Sequence, residues 1–228
     1  MPSPTNEDLS LPLVVVTTLP ARITGIATFA EEAPEFIAKQ LPGRRISVVC
    51  HREETAVDQQ FECWPIIDVT SDEWPEVVAA KLAELRPYCV HLQHEYSLYA
   101  RLGTQLQARL TAGLLRLLEL SQDWPILLEL HTVHSRLHAE EEDLIARVAE
   151  LCQILAFKCD YQKWRLEFVF AQEGRPIPHN IAVIPHGARP DRQYGPGDVN
   201  DLKRELGLYD LVGKRLAGLV GWMQNSKR

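Results

Sequence analysis

Three clusters of residues have types and spacings that can do chemistry. The densest is His131-Thr-Val-His134-Ser-Arg-Leu-His138. Spacings of three and four between histidines are those of a metal site. Here, however, His131 ends an apolar run while His138 stands where a helix would open, and no cysteine or well-spaced carboxylate joins them. We read no metal site. A strand-end histidine that hydrogen-bonds a hydroxyl or a phosphate is the better reading, because near neutral pH imidazole is donor, acceptor or base. A partly buried histidine satisfied by backbone is the plain alternative.

The second cluster is His91-Leu-Gln-His94-Glu95. On a strand, residues three apart point to opposite faces, so His91 and His94 do not share a ligand. His91 reads as a core or interface residue, and Glu95 as a base or as a partner orienting a histidine. The third is Arg22-Ile-Thr24-Gly25-Ile, a turn between an apolar run and a helical pattern. Glycine permits close approach of a ligand, and a helix N-terminus favours an anion. With one glycine this is not the dinucleotide fingerprint, and taken alone such a glycine is more often simple turn chemistry. No Walker A loop, nucleophile elbow, H-E-x-x-H helix or EF-hand loop is present.

The elements that must position these residues alternate. Leu11–Thr17 reads as a strand buried on both faces, followed by a helix in which Pro34 predicts a kink or break. Arg45–Cys50 and Pro65–Val69 are further strands. A helix near Glu73–Leu85 is capped by Ser71 or Asp72 and stopped by Pro87. Tyr88–His94, Pro125–His131, Ile154–Phe157 and Asn180–Ile184 are strands. Helices at Gly103–Leu120, Glu140–Gln153 and Tyr161–Phe170 separate them. The acidic run Glu140–Asp143 reads as a solvated helix start, Lys158, Lys163 and Arg165 as a surface basic group, and Trp164 and Trp222 as packing anchors. Strands alternating with helices imply an α/β fold: a Rossmann-like, mostly parallel sheet with helices on both faces. Ligands then sit beyond the carboxyl ends of the strands, where His131, His134, Glu95, Tyr96, His186 and Gly187 all fall.

The chain has 228 residues, 46% hydrophobic and 24% charged, with 24 Lys and Arg against 31 Asp and Glu, a formal charge of −7. Those proportions exclude disorder, collagen and coiled coil as readings. The negative balance does not suit a nucleic-acid partner. No apolar run approaches the ~18 residues of a spanning helix, and the N-terminus has no export signal. Five widely spaced cysteines, Cys50, Cys63, Cys89, Cys152 and Cys159, read as buried free thiols in a reducing cytoplasm.

Taken in order, LPARITGIATF, HLQHEY, LLELHTVH, CDYQKWRLEF and NIAVIPHGA make the chain resemble the N-terminal half of GT-B fold glycosyltransferases of family 4, the retaining group 1 transferases. The resemblance implies transfer of a sugar from a nucleotide-sugar co-substrate to a sugar, lipid or glycan acceptor, with no cofactor and no obligatory metal. It implies that Gly25 and Thr24 approach the donor diphosphate and that His131 contacts the transferred sugar as the catalytic residue. Arg22, Glu95, Tyr96, His134, His186 and Gly187 would line the substrate cleft.

Such enzymes keep most of the nucleotide-sugar on a second domain. The expected organisation is a leader (1–10), an acceptor-side domain (11–190), a linker with a short helix (191–210), and the start of a second domain (211–228) that goes no further. On that reading the chain is a partial glycosyltransferase with little activity alone. The alternative is a stand-alone acceptor-binding module that pairs with a separate donor-binding polypeptide. Peripheral membrane association is compatible with either. A self-sufficient α/β enzyme of another class, such as a nucleotide-sugar isomerase, is a third reading.

Overall fold

The structure is a computed structural model that describes residues 10–19, 25–53, 61–96, 98–99, 107–133, 139–186 and 196–215. Arg22, Thr24, His134, Gly187 and Trp222 lie outside the described residues. The chain divides into two compact units, residues 1–186 and 187–228.

The first unit is a seven-stranded parallel sheet. Its strands are β1 (Leu13–Val16), β2 (Ile46–His51), β3 (Glu62–Ile67), β4 (Cys89–His94), β5 (Ile126–Leu130), β6 (Ile154–Phe157) and β7 (Ile181–Val183). They lie in the order β3-β2-β1-β4-β5-β6-β7, so the chain winds outward from β1 and then reverses at β4. This confirms the Rossmann-like α/β class. β1 and β2 are buried along their whole length, as central parallel strands covered on both faces must be.

The helices are α1 (Gly25–Gln40), α2 (Trp74–Leu85), α3 (Gln107–Leu120), α4 (Ala139–Leu151) and α5 (Asp160–Gln172). Right-handed crossovers put α2, α3 and α4 on one face and α1, which runs the other way along the sheet, on the opposite face. The core follows from this: Val78 and Leu82 of α2, Leu114, Leu117 and Leu118 of α3, and Ile145 and Val148 of α4 are buried against Leu92, Leu128 and Leu155. Gly113 lets α3 approach α2, because a Cβ there would lie 2.8 Å from Trp74 Nε1.

Several sequence expectations are corrected. Pro34 does not break α1, which runs through it with Pro34 buried. Packing holds that turn in place of the lost hydrogen bond. β3 starts three residues earlier than expected and contains Pro65, which an edge strand tolerates because it needs only one partner. Neither Ser71 nor Asp72 caps α2. Glu73 holds the N-cap without a side-chain bond, and Pro75 fits a first turn whose N–H groups have no helical partner. The acidic start of α4 is solvated only in part: Glu140 and Asp143 are exposed, but Glu141 and Glu142 are buried. Trp164 is exposed rather than an anchor.

The second unit holds α6 (Pro196–Glu205) and a short 3-10 turn at Tyr209–Leu211. Gly207, at φ 71°, ends α6 in the left-handed region, and Leu208 N donates to Lys203 O at 2.8 Å. No helix among the described residues is long and apolar enough to cross a membrane.

Candidate functional site

In a parallel sheet every strand delivers its last residue to one edge. Here that edge collects polar side chains from five strands. β1 is followed by Thr17, β4 ends at Gln93 and His94 and is followed by Glu95 and Tyr96, and β5 ends at Leu130 and is followed by His131 and Thr132. β6 is followed by Lys158, and the chain after β7 reaches His186. Two backbone bonds prolong the ladder and fix the histidines: His131 N donates to His94 O at 3.0 Å, and Ile184 N donates to Phe157 O at 2.7 Å.

His131 and His186 meet there, their ring centroids 5.2 Å apart. Phe29, one turn into α1, sets its ring edge-on to both, at 5.1 Å from His131 and 5.2 Å from His186. The His131 side chain is only 4% exposed, whereas His186 is exposed. Burial lowers the His131 imidazole to about 4 against an opposing pull from Glu95, and partial desolvation with repulsion from Lys158 and His131 lowers His186 to about 4. Both are therefore neutral at pH 7, and each ring can donate one hydrogen bond and accept another.

Glu95 is held on both oxygens. Thr132 Oγ1 donates to Oε2 at 2.5 Å, and Tyr96 N donates to Oε1 at 3.1 Å. The Tyr96 hydroxyl is pushed up by burial and by Glu141 and Glu95, so it stays protonated and serves as a donor. Gly25 is the first residue of α1. Its φ lies outside the left-handed region, and a Cβ there would meet nothing within 4 Å, so neither backbone strain nor packing among the described residues demands glycine.

His91 and His94 separate as strand geometry requires. His94 is buried on the face of Trp74 and Tyr99, stacked 6.3 Å from the Tyr99 ring. Thr17 Oγ1 donates to Gln93 Oε1 at 2.6 Å, and Tyr99 Oη donates to Gln93 O at 2.7 Å. Burial lowers His94 to about 4.

Two residues that sequence reasoning missed lie beside His131. Glu129 is 3% exposed, and Lys158, expected at the surface, is 8% exposed. They form an ion pair, and His91 Nε2 donates to Glu129 Oε2 at 2.8 Å. Lys158 Nζ also sits over the Phe29 ring, 4.7 Å from its centroid. Burial lowers Lys158 to about 8, which leaves it charged at pH 7 against the carboxylate. A signal existed: a glutamate inside the apolar run Ile-Leu-Leu-Glu-Leu must be buried, and a buried carboxylate needs a cation. Among the described residues no group of His, Cys, Asp and Glu could hold a metal ion.

No protein-family model matches the sequence, and no curated protein matches it. Solved structures do resemble it. The Anabaena protein HepE, solved in complex with UDP and glucose, aligns with 86% of this chain and 50% of its own at 14% identity and a TM-score of 0.50. A Listeria monocytogenes structure designated UDP-N-acetylglucosamine 2-epimerase covers 75% of this chain and 44% of its own, with 10% identity and a TM-score of 0.45. Thermoplasma acidophilum aldohexose dehydrogenase covers 81% and 98%, with 10% identity and a TM-score of 0.42. The chain spans half the length of the HepE chain, and it shares the fold of that half.

Proposed function

We propose that this chain is the acceptor-side half of a nucleotide-sugar-dependent, retaining glycosyltransferase of GT-B type, in the manner of family 4. The observation that carries the proposal is the meeting of His131, His186 and Phe29 at the carboxyl edge of a Rossmann-like sheet. Neutral imidazoles beside an aromatic ring suit a hydroxyl-rich, partly apolar ligand such as a pyranose. In this reading His131 hydrogen-bonds the transferred sugar, with His186, Glu95 and Tyr96 around the acceptor. The family resemblance would add Arg22, Thr24, His134 and Gly187, which lie outside the described residues, and would bring Gly25 near the donor diphosphate. The site needs no metal and no cofactor beyond the nucleotide-sugar co-substrate.

Most of the donor would be held by a second α/β domain, on the same parent chain or on a separate polypeptide. The half-length match to HepE favours such a two-part arrangement. Domain limits of 11–190 and 211–228 belong to this proposal.

The test is a titration of the full chain, labelled with 15N-histidine, with UDP, UDP-glucose, UDP-N-acetylglucosamine and neutral hexoses. Saturable movement of the His131 and His186 ring signals supports the reading. Movement confined to His51, His94 or His179 sinks it, as does no movement by any ligand.

A further inference from the structure

We propose that Glu129 is a positioning residue that fixes the imidazole of His131 for the sugar site, an inference that rests on the function proposed above. Both carboxylate oxygens of Glu129 are already engaged by protein groups, so it acts on a ligand only through its neighbours. What it does touch is the site's framework. One carboxylate oxygen accepts from His91 Nε2 at 2.8 Å and lies 3.7 Å from His131 Nε2, while the other pairs with Lys158. Three neighbouring strands, β4, β5 and β6, are thereby tied to one anion.

The arrangement has chemical consequences. An ionised carboxylate only accepts, so the neutral His91 ring must carry its proton on Nε2. His131 Nε2 is buried and has no hydrogen-bond partner among the described residues. Its nearest anionic oxygen is Glu129 Oε2, which favours the proton on Nε2 and leaves Nδ1 as the acceptor. An imidazole in one tautomer and one orientation can read a sugar hydroxyl, whereas a mixture cannot. Lys158 balances the carboxylate and at the same time braces Phe29, the ring that contacts both His131 and His186. A carboxylate in the middle of a buried strand is expensive, so it stays only where its partners are complete.

The experiment reads histidine tautomers by long-range 1H–15N spectra of the full chain without ligand. In the unaltered chain His91 and His131 should both be neutral with the proton on Nε2. In Glu129→Gln, His131 should lose that single-tautomer pattern, and Glu129→Asp should restore it. A merely structural role would lower the unfolding midpoint and leave the His131 pattern intact in the folded fraction, which would overturn the proposal. So would finding the His91 proton on Nδ1 in the unaltered chain. If Glu129→Gln fails to fold, Glu129→Gln with Lys158→Met removes both charges together and is read in the same way. Because no ligand is present, failure of the nucleotide-sugar titration leaves this result standing, and failure here leaves that titration readable.

Discussion

The buried histidines make the fold acid-labile, and the size of the effect follows from the structure. His91, His94 and His131 are held near 4, chiefly by burial. In the unfolded chain each returns to about 6.5. A depressed folded pKa contributes stability that is present above the unfolded value and lost as pH falls toward the folded one. The window is therefore pH 6.5 down to 4. At pH 5 each unfolded imidazole is almost fully protonated and each folded one is not, a difference of about 2 kcal/mol per residue. His91 and His131 repel each other once charged, so the three sum to roughly 4–6 kcal/mol, comparable to a domain's whole stability. Glu142, whose carboxyl is raised by burial and by Glu173, works in the opposite sense and offsets part of this loss. The assay is urea unfolding of the full chain at pH 7.5, 6.5, 5.5 and 5.0, followed by far-UV circular dichroism. Stability should fall steeply below pH 6.5, with net uptake of two to three protons. A loss under ~1 kcal/mol between pH 7.5 and 5.0 would refute the claim that these rings are buried and neutral.

Other outcomes follow from particular contacts. Gly113→Ala gains about 1 kcal/mol of helix propensity but drives a methyl into the Trp74 indole, so it should destabilise by about 1–3 kcal/mol in urea unfolding. Lys158→Met alone leaves Glu129 buried and unpaired, which should cost about 3–5 kcal/mol, more than the Glu129→Gln, Lys158→Met pair. Tyr99→Phe removes the hydroxyl that donates to Gln93 O and should lower stability by about 1 kcal/mol without changing the fold seen by circular dichroism. Assayed together with the proposed donor-binding domain, His131→Ala should lower turnover far more than it lowers the unfolding midpoint. Full retained activity would remove His131 from the proposed mechanism.

The order of elements was legible because the apolar runs are separated by helical spacing and by Pro or Gly. The edge where His131, Glu95 and His186 gather was legible for the same reason, since parallel topology alone sends strand ends to one side. The Glu129–Lys158 pair was not. Lys158 follows the apolar Ile154–Phe157 and looked like the first solvated residue, whereas its partner on the preceding strand, Glu129, holds it inside. Likewise Glu141 and Glu142 looked solvated because the dipole argument explains acidic first turns without tertiary contacts, yet Glu141 packs against Tyr96 and Glu142 against Glu173. Buried charge is decided by long-range partners, and a local reading of charge cannot see them. Trp164 failed in the other direction: it stands with Tyr161 and Phe168 along one exposed stripe of α5, ring centroids 5.8 and 5.7 Å apart, where local hydrophobicity suggested an anchor.

The carboxyl edge around His131 and His186 is proposed to bind the sugar of a nucleotide-sugar reaction. The most direct measurement is the 15N-histidine titration of the full chain with the nucleotide-sugar and hexose panel. The account predicts saturable shifts at His131 and His186, with His94 and His179 unmoved. Shifts confined to residues away from that edge, or none with any ligand of the panel, would contradict it.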